Sequence, residues 1–98
     1  MTYKPLPKNL TIKQSKIHGL GLFATEDIEK QHEFGISHIM NEYFEDGYIR
    51  TPLGGFFNHS DNPNCEAYVH HAYIMLRSIK DIKAGEELTV KYWLYKLK

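Results

Sequence analysis

Apolar and polar residues alternate over short stretches along most of this chain, which is the pattern of half-buried β-strands. The predicted strands cover 10–12, 18–24, 33–36, 67–70, 73–79 and 87–92. The second of these contains two glycines, which indicate a bulge or a close approach by another group. The two strands on either side of His71 predict a β-hairpin.

One stretch, 38–48, has the spacing of a helix, and Gly47 stands near its end. The apolar side of this predicted helix consists of Ile39, Tyr43, Phe44 and Tyr48. The sequence Pro-Leu-Gly-Gly at 52–55 is expected to break it. Several short strands with one short helix make the predicted class mostly β.

The length and composition predict one small soluble domain over 1–98. A chain of this size buries only about 60–65% of its unfolded surface, so its stability is marginal without a partner or ligand. The net charge is zero, which gives no global attraction to nucleic acid or to a membrane. There is no apolar run long enough to span a membrane and no apolar core of a signal peptide, so we expect an intracellular protein.

A single cysteine excludes both an intrachain disulfide and a cysteine-rich zinc site. The charges are unevenly distributed: 26–46 holds seven acids and one base, Lys30, whereas 77–98 holds six bases and three acids. Two interpretations stay open for this asymmetry. The acidic and basic residues either form two solvated faces, or the acidic residues form a rim that attracts a basic peptide.

The pair Gly19 and Gly21 leaves a stretch of backbone without side chains. A ligand could lie directly against such backbone, although a simple β-bulge would also explain the two glycines. The pair is not a dinucleotide-binding fingerprint, because a third glycine and a following helix are missing.

The segment 58–64 is rich in Asn, His, Ser, Asp and Pro, which favour an irregular loop that bonds to its own backbone. Asn58 offers a donor and an acceptor that suit the edge of a purine or an amino acid. His59 is either a general base or, as we favour, a structural residue whose backbone faces a ligand. Cys65 is interpreted as a buried small apolar residue.

Three motifs in order resemble those of the SET domain of protein lysine methyltransferases. They are Ile-His-Gly-Leu-Gly-Leu-Phe-Ala at 17–24, Phe-Phe-Asn-His-Ser at 56–60 with Pro-Asn-Cys at 63–65, and the Gly-Glu-Glu-Leu-Thr…Tyr segment at 85–92. The resemblance implies a β-clip fold of small curved sheets. In that fold the C-terminal segment threads through a loop beside the Asn-His-Ser motif and forms a pseudoknot.

The resemblance implies S-adenosylmethionine as the cofactor. It places Tyr92 at the mouth of the methyl-transfer channel as the catalytic tyrosine. Trp93 and Tyr95, or else a second subunit, would form an aromatic lid over the cofactor. The residues implied to hold the cofactor are Gly19, Leu20, Gly21, Asn58, His59, Trp93 and Tyr95.

Methyl transfer needs a neutral lysine amine, whereas free lysine has a pKa of about 10.4. A dry aromatic channel and the neighbouring sulfonium both lower this pKa, so the hydroxyl of Tyr92 needs only to orient the amine. Tyr48 and Tyr68 are predicted channel walls, although residues of this kind are more often in a core. Val90 stands where many relatives have Tyr or Phe, a position that influences the number of methyls added.

The chain departs from the family at several points. Asp61 replaces a cysteine that binds zinc in many relatives, so we predict no metal. The stretch between Gly21 and Asn58 is short, and the chain is similar in size to stand-alone SET proteins of viruses and microbes. A reduced insert leaves apolar surface that pairing of two copies would cover, so we expect a homodimer.

Lysine methylation of a basic protein such as a histone is the preferred prediction, in the cytoplasm or, for a viral protein, in the host nucleus. The alternative is a catalytically inactive SET-like module that binds protein. Neither prediction includes direct binding to nucleic acid.

Overall fold

The computed structural model of the chain describes residues 6–41, 43 and 47–91. This part of the chain forms eight strands and one helix. In order they are β1 (Leu10–Gln14), β2 (Leu20–Ala24), β3 (Glu33–Met40), β4 (Tyr48–Arg50), α1 (Pro52–Gly55), β5 (Asn58–His59), β6 (Cys65–His70), β7 (Tyr73–Ser78) and β8 (Thr89–Val90). The predicted mostly β class is confirmed.

Strands β1 and β2 form a small antiparallel sheet, with Leu10 opposite Ala24 and Gln14 opposite Leu20. The turn between them closes with a hydrogen bond from the Ser15 amide to the Gly19 carbonyl of 2.7 Å. Gly19 has a φ of 47°, a left-handed conformation that glycine adopts without strain. The first glycine of the motif is therefore explained by this turn.

The other six strands form one sheet in the order β4-β3-β7-β6-β8-β5. Its centre is the predicted hairpin of β6 and β7, in which Cys65 lies opposite Ser78 and His70 opposite Tyr73. His71 sits in the turn with a φ of 56°. Register shifts in β3 between Glu33 and Met40 bend that strand as it pairs with β7, which contributes to the curvature of the sheet.

Strand β8 lies between β5 and β6 and runs parallel to both. Asn58 is opposite Thr89, and Val90 is opposite both His59 and Cys65. The loop that joins β5 to β6 closes over this strand through Asn64, which donates to the Glu87 carbonyl (2.8 Å) and accepts from the Thr89 amide (2.9 Å). A late strand held inside an earlier loop is the pseudoknot arrangement that the sequence predicted.

The predicted helix over 38–48 is wrong at both of its ends, while 42 and 44–46 lie outside the described residues. His38 to Met40 continue β3, which also extends the strand predicted over 33–36, and 48–50 form β4. The two strands pair antiparallel, with His38 opposite Arg50. Strand β3 has β4 on one side and β7 on the other, so its backbone groups are satisfied by neighbouring strands, and this tertiary pairing overrides the local helical spacing.

The helix α1 forms at 52–55, where the sequence predicted a break. Thr51 is its N-cap and accepts a hydrogen bond from the Gly54 amide (3.4 Å), and Pro52 occupies a first-turn position that needs no amide donor. One turn of helix therefore stands directly before the Asn-His-Ser motif.

The hydrophobic core draws on both sheets. One buried cluster contains residues from β2, from β7 and from the C-terminal segment, which follows β7. The fully or almost fully buried residues of this cluster include Leu22 of β2, Ile74 and Leu76 of β7, and Ile82 and Leu88 of the C-terminal segment. The small sheet is joined to the C-terminal segment by further backbone contacts, among them Phe23 with Glu87. In the part of the chain that the structure describes, no helix is long and apolar enough to cross a membrane.

Candidate functional site

A cleft of about 610 Å³ opens between the β1–β2 turn, the end of β4 and α1. The described residues that line it are His18, Gly19, Leu20, Arg50, Gly54, Gly55, Phe56, Phe57 and Asn58. Two of the three sequence motifs therefore meet at one cleft. The third motif does not line the cleft, but its Glu87 side chain accepts a hydrogen bond from Asn58 in the wall.

Asn58 fixes the wall of the cleft. Its side chain is buried (6% exposed), and Nδ2 lies 3.2 Å from the His18 carbonyl, 3.2 Å from the Leu20 carbonyl and 2.7 Å from Oε2 of Glu87. Three acceptors around one atom identify it as the amide nitrogen. Asn58 thus holds the backbone on both sides of Gly19.

Glu87 is held in turn by Ser15, whose hydroxyl lies 2.8 Å and 2.9 Å from its two carboxylate oxygens. The same hydroxyl accepts a hydrogen bond from the Ile17 amide (2.9 Å). We call these three side chains, Asn58, Glu87 and Ser15, the polar network. Because it joins the two ends of the β1–β2 turn to β5 and the C-terminal segment, it sets the shape of the turn.

Gly21 is required by this network. A Cβ atom at this position would overlap Oε2 of Glu87 and lie 3.2 Å from Nδ2 of Asn58. Gly21 is buried and is not among the residues that line the cleft. The structure therefore gives the second glycine a packing reason, and its predicted contact with a cofactor stays a prediction.

The opposite wall of the cleft is also bare backbone. A Cβ at Gly54 would overlap the Ser37 carbonyl, because α1 packs tightly against β3. A Cβ at Gly55 would meet no atom within 4 Å, so at this point the wall ends in open space. Phe56 and Phe57 add apolar surface beside it, and Phe57 packs edge-on against the ring of His38 with centroids 6.0 Å apart.

The charged groups at the cleft lie at different depths. The described residues that line it include one arginine, Arg50, and no carboxylate. The carboxylate of Glu87 lies behind Gly21 and Asn58 and is bonded to both Asn58 and Ser15. The acid of the polar network therefore supports the wall of the cleft and is not part of its described lining.

The predicted cofactor residues fall into three groups. Gly19, Leu20 and Asn58 line the cleft together. His59 lies in β5 next to Val90, and its Nε2 atom is 3.1 Å from Oδ1 of the exposed Asp61. It is not among the described residues that line the cleft. The predicted catalytic and lid residues, Tyr92, Trp93 and Tyr95, lie outside the described residues.

Two of the predicted channel residues, Tyr68 and Val90, are not among the described residues that line this cleft. Tyr68 donates to Oε1 of Glu33 (2.5 Å), which raises the pKa of its hydroxyl, and its ring lies 4.3 Å from the guanidinium carbon of Arg77. Val90 is buried in the core. Tyr48 is placed by its backbone in β4, and its side chain lies outside the description. Their roles in a lysine channel stay predictions.

Cys65 is 1% exposed, and burial raises the pKa of its thiol to about 12. A thiol of this kind is not a nucleophile at neutral pH. Among the described residues, no group of three or more His, Cys, Asp or Glu side chains is arranged to hold a metal ion.

Sequence reasoning missed Ser15, Glu87 and Arg50. Glu87 belongs to a quoted motif, but nothing local shows that its carboxylate reaches Asn58. Ser15 and Glu87 are 72 positions apart, and only the fold brings them together. Arg50 was overlooked because it lies between a wrongly predicted helix and its predicted break.

Known proteins are similar to this chain in sequence and in fold. Residues 34–93 match the family model described as the SET domain. The mouse protein "Histone-lysine N-methyltransferase SMYD3" is 42% identical over 51 residues, which cover 52% of this chain and 12% of the relative. The chain thus spans only about an eighth of that protein.

Solved structures are similar over a larger share of the chain. The crystal structure of PFL0690c, a candidate histone methyltransferase of Plasmodium falciparum, superposes with a TM-score of 0.71 at 25% identity, covering 89% of this chain and 95% of that one. A structure of the Chaetomium thermophilum Polycomb Repressive Complex 2 bound to S-adenosylmethionine gives a TM-score of 0.69 at 24% identity, covering 92% of this chain and 16% of that one. At 24% identity, the similarity to the second structure shows a shared fold alone.

Proposed function

The chain belongs to the SET domain family, and from this premise we propose that it transfers a methyl group from S-adenosylmethionine to the side-chain nitrogen of a protein lysine. The observation that carries the proposal is the polar network, which joins the third motif, through Glu87, to the two motifs that meet at the cleft. Relatives named as histone-lysine methyltransferases support the reaction class.

The cleft is suited to this cofactor in size and chemistry. Its volume of about 610 Å³ lies in the range of small-molecule sites. Bare backbone at Gly19 and Gly55 leaves room for a ligand, and Phe56 offers an apolar surface for a purine. The S-adenosylmethionine bound in the Polycomb complex supports the same choice of cofactor.

The protein's own contribution would be positioning. S-adenosylmethionine supplies an electrophilic methyl group on a sulfonium. Asn58 and Glu87 hold the β1–β2 turn in one shape, so the binding surface is formed before the ligand arrives. Tyr92 would orient the lysine amine at the end of this surface. Pre-formed geometry of this kind lowers the entropic part of the barrier.

A basic protein such as a histone is the proposed substrate. The acidic stretch predicted from the sequence includes Glu26 and Glu29, which are exposed. Asp27 belongs to the same stretch but accepts from the Ala84 amide (2.9 Å), so part of this acidity serves the fold. Electrostatic attraction would raise the rate of association more than the affinity.

Assembly as a homodimer and an intracellular site of action belong to the same proposal. Ile17 and Leu20, beside the cleft, are each 51% exposed, which would suit contact with a second copy. Sedimentation equilibrium at high micromolar concentration tests this assembly, and a monomer at that concentration contradicts it. Imaging of a fluorescent fusion in the source cells tests the location.

Calorimetric titration of S-adenosylmethionine tests the proposal directly. The wild type should bind, and Asn58→Ala should lose binding because the β1–β2 turn loses its donor. Asn62→Ala is the matched control, since Asn62 is exposed and its side chain contacts Lys80 on the surface. Absence of binding by the wild type would contradict the proposal.

Transfer of labelled methyl groups to core histones, followed by mass spectrometry of the lysines, tests catalysis. Loss of transfer in Tyr92→Phe with cofactor binding retained supports the enzyme. The second candidate function, a protein-binding module without turnover, would be favoured if the wild type binds S-adenosylmethionine and a basic peptide but transfers no methyl group.

A further inference from the structure

We propose that the β1–β2 hairpin binds the phosphate backbone of nucleic acid through three exposed lysines. They are Lys8, just before β1, Lys13 within it and Lys16 in the turn that follows it. The proposal goes beyond the function proposed above, because it adds a second binding surface outside the cleft lining. For a histone substrate, this surface would hold the DNA that accompanies the histone.

The charges of the chain are separated along its length. Residues 1–25 contain four lysines and no acid, and all twelve acids of the chain lie at Glu26 or beyond. The zero net charge, from which the sequence predicted no global attraction to nucleic acid, hides this separation. In physiological salt the field of a charge is screened beyond about 8 Å, so the charges close to a surface decide what binds there.

The three lysines are available to a ligand. Each is exposed, and none forms an ion pair or a side-chain hydrogen bond within the described part of the chain. The ammonium of Lys13 lies 5.8 Å from the centroid of the Phe23 ring on β2, a contact that places the side chain without neutralising its charge. The fourth lysine of this stretch, Lys4, lies outside the described residues.

Two acids of the C-terminal segment lie beside the hairpin, and both carboxylates are bonded to protein. Glu87 is half-buried and is held by Ser15 and Asn58. Glu86 meets β2 through its backbone carbonyl, and its carboxylate accepts from the Lys83 amide (2.6 Å). These negative charges therefore face protein donors, whereas the ammonium groups of the three lysines are exposed to solvent.

The distribution of the lysines favours nucleic acid over an acidic protein. They are spread over the length of β1, which has five residues and is about 17 Å long. A DNA strand presents one phosphate for about every 3.4 Å of helix axis, so several phosphates lie within this length. The exposed large apolar residues of the described hairpin, Ile17 and Leu20, both lie at the turn. A surface that is mostly polar and positively charged is typical of protein–DNA interfaces.

Fluorescence anisotropy with a labelled DNA duplex of about 20 base pairs tests the proposal without the cofactor. Three phosphate contacts predict that the affinity of the wild type falls about 40-fold between about 50 mM and about 200 mM salt. The triple variant Lys8→Gln, Lys13→Gln and Lys16→Gln should bind at least about tenfold more weakly at the lower salt, with a flatter salt dependence. Its affinity for S-adenosylmethionine should equal that of the wild type, because none of the three side chains lines the cleft.

The matched control is the triple variant Lys30→Gln, Lys80→Gln and Lys83→Gln, which removes the same charge at exposed positions outside the hairpin. It should bind the duplex within about twofold of the wild type. Equal weakening in the two triple variants, or a wild type that does not bind the duplex at about 50 mM salt, would overturn the proposal. Poly-glutamate that binds as tightly as the duplex would overturn the choice of nucleic acid. None of these outcomes bears on methyl transfer, which is measured separately.

Discussion

The side-chain nitrogen of Asn58 lies 2.7 Å from a carboxylate oxygen of Glu87, and this contact joins two motifs that are 29 residues apart. The same nitrogen reaches the carbonyls of His18 and Leu20 on either side of Gly19. One hydrogen-bonded pair therefore connects the β1–β2 turn, β5 and the C-terminal segment. The three motifs are far apart in the sequence, and this pair is what joins them in the folded chain.

Replacement of Glu87 should uncouple the three motifs. Glu87→Ala leaves the Ser15 hydroxyl without its acceptor and removes one of three acceptors of Asn58. Asn58 keeps the carbonyls of His18 and Leu20, but it loses its shortest contact, and the half-buried Ser15 hydroxyl loses its acceptor. We expect the free energy of unfolding to fall by about 1 kcal/mol, the usual contribution of one hydrogen bond, and the binding of S-adenosylmethionine to weaken at least about tenfold. Urea unfolding and calorimetry measure the two effects.

Glu86→Ala is the control for this experiment, because Glu86 is exposed and its side chain is described as accepting from the nearby Lys83 amide, away from the polar network. The rescue variant is Glu87→Gln, whose amide oxygen can still accept from Asn58. If Glu87→Ala binds the cofactor as tightly as Glu86→Ala does, the polar network does not shape the site.

Gly21→Ala should act through the same network from the other side. The added methyl would overlap the carboxylate of Glu87, which must move and so lose its contact with Asn58. We expect destabilisation of about 1–3 kcal/mol, the usual cost of overpacking, together with loss of cofactor binding. Thermal unfolding and ligand titration provide the measurements.

Gly55→Ala is a comparison at a glycine of the opposite wall, where an added methyl meets no atom within 4 Å. Its stability should equal or slightly exceed that of the wild type, because alanine favours helix and lowers the entropy of the unfolded chain. Equal stability losses in the two variants would show that Gly21 has no special packing role.

The strands that the sequence predicted correctly are those with clean local patterns. The hairpin around His71 shows alternation on both sides of a tight turn, and β2 is an apolar run with its glycines in place. The pseudoknot was predicted only through the family resemblance, because parallel pairing of Asn58 with Thr89 leaves no local signal.

The wrong helix over 38–48 shows why the rest could not be predicted. Its apolar spacing favours a helix locally, but its first residues pair with β7, which lies about 35 positions further along the chain, and with β4, which begins at the last residue of the stretch. Arg50 was missed for the same reason. Its place in the cleft depends on the pairing of β4 with β3 and on the hydrogen bond from the Thr51 hydroxyl to the Ile36 carbonyl, and both join positions that are distant in the sequence.

Tyr68→Phe tests the predicted channel role against the observed contact. The hydroxyl of Tyr68 bonds to Glu33 and is outside the cleft lining, so we expect cofactor affinity to be unchanged and stability to fall by about 1 kcal/mol or less. Methyl transfer to histones measures the channel role. A loss of transfer with normal cofactor binding would place Tyr68 in the lysine channel, and unchanged transfer would remove it from the site.

Alkaline pH should destabilise the fold through Cys65. Burial raises the pKa of this thiol from 9.0 to about 12, so above about pH 9 the unfolded chain loses a proton that the native protein keeps. The free energy of unfolding therefore falls as the pH rises from about 9 towards 12, by at most about 1.4 kcal/mol per pH unit from this group.

Cys65→Ala isolates this effect, because it removes the thiol and leaves the other titrating side chains in place. The variant should be less stable than the wild type near neutral pH, owing to the small cavity at a buried position, but its stability should fall less steeply above about pH 9. Urea midpoints of both proteins at about pH 8 and about pH 10.5 give the comparison. Parallel losses of stability would mean that the thiol of Cys65 titrates in the native protein as it does in the unfolded chain.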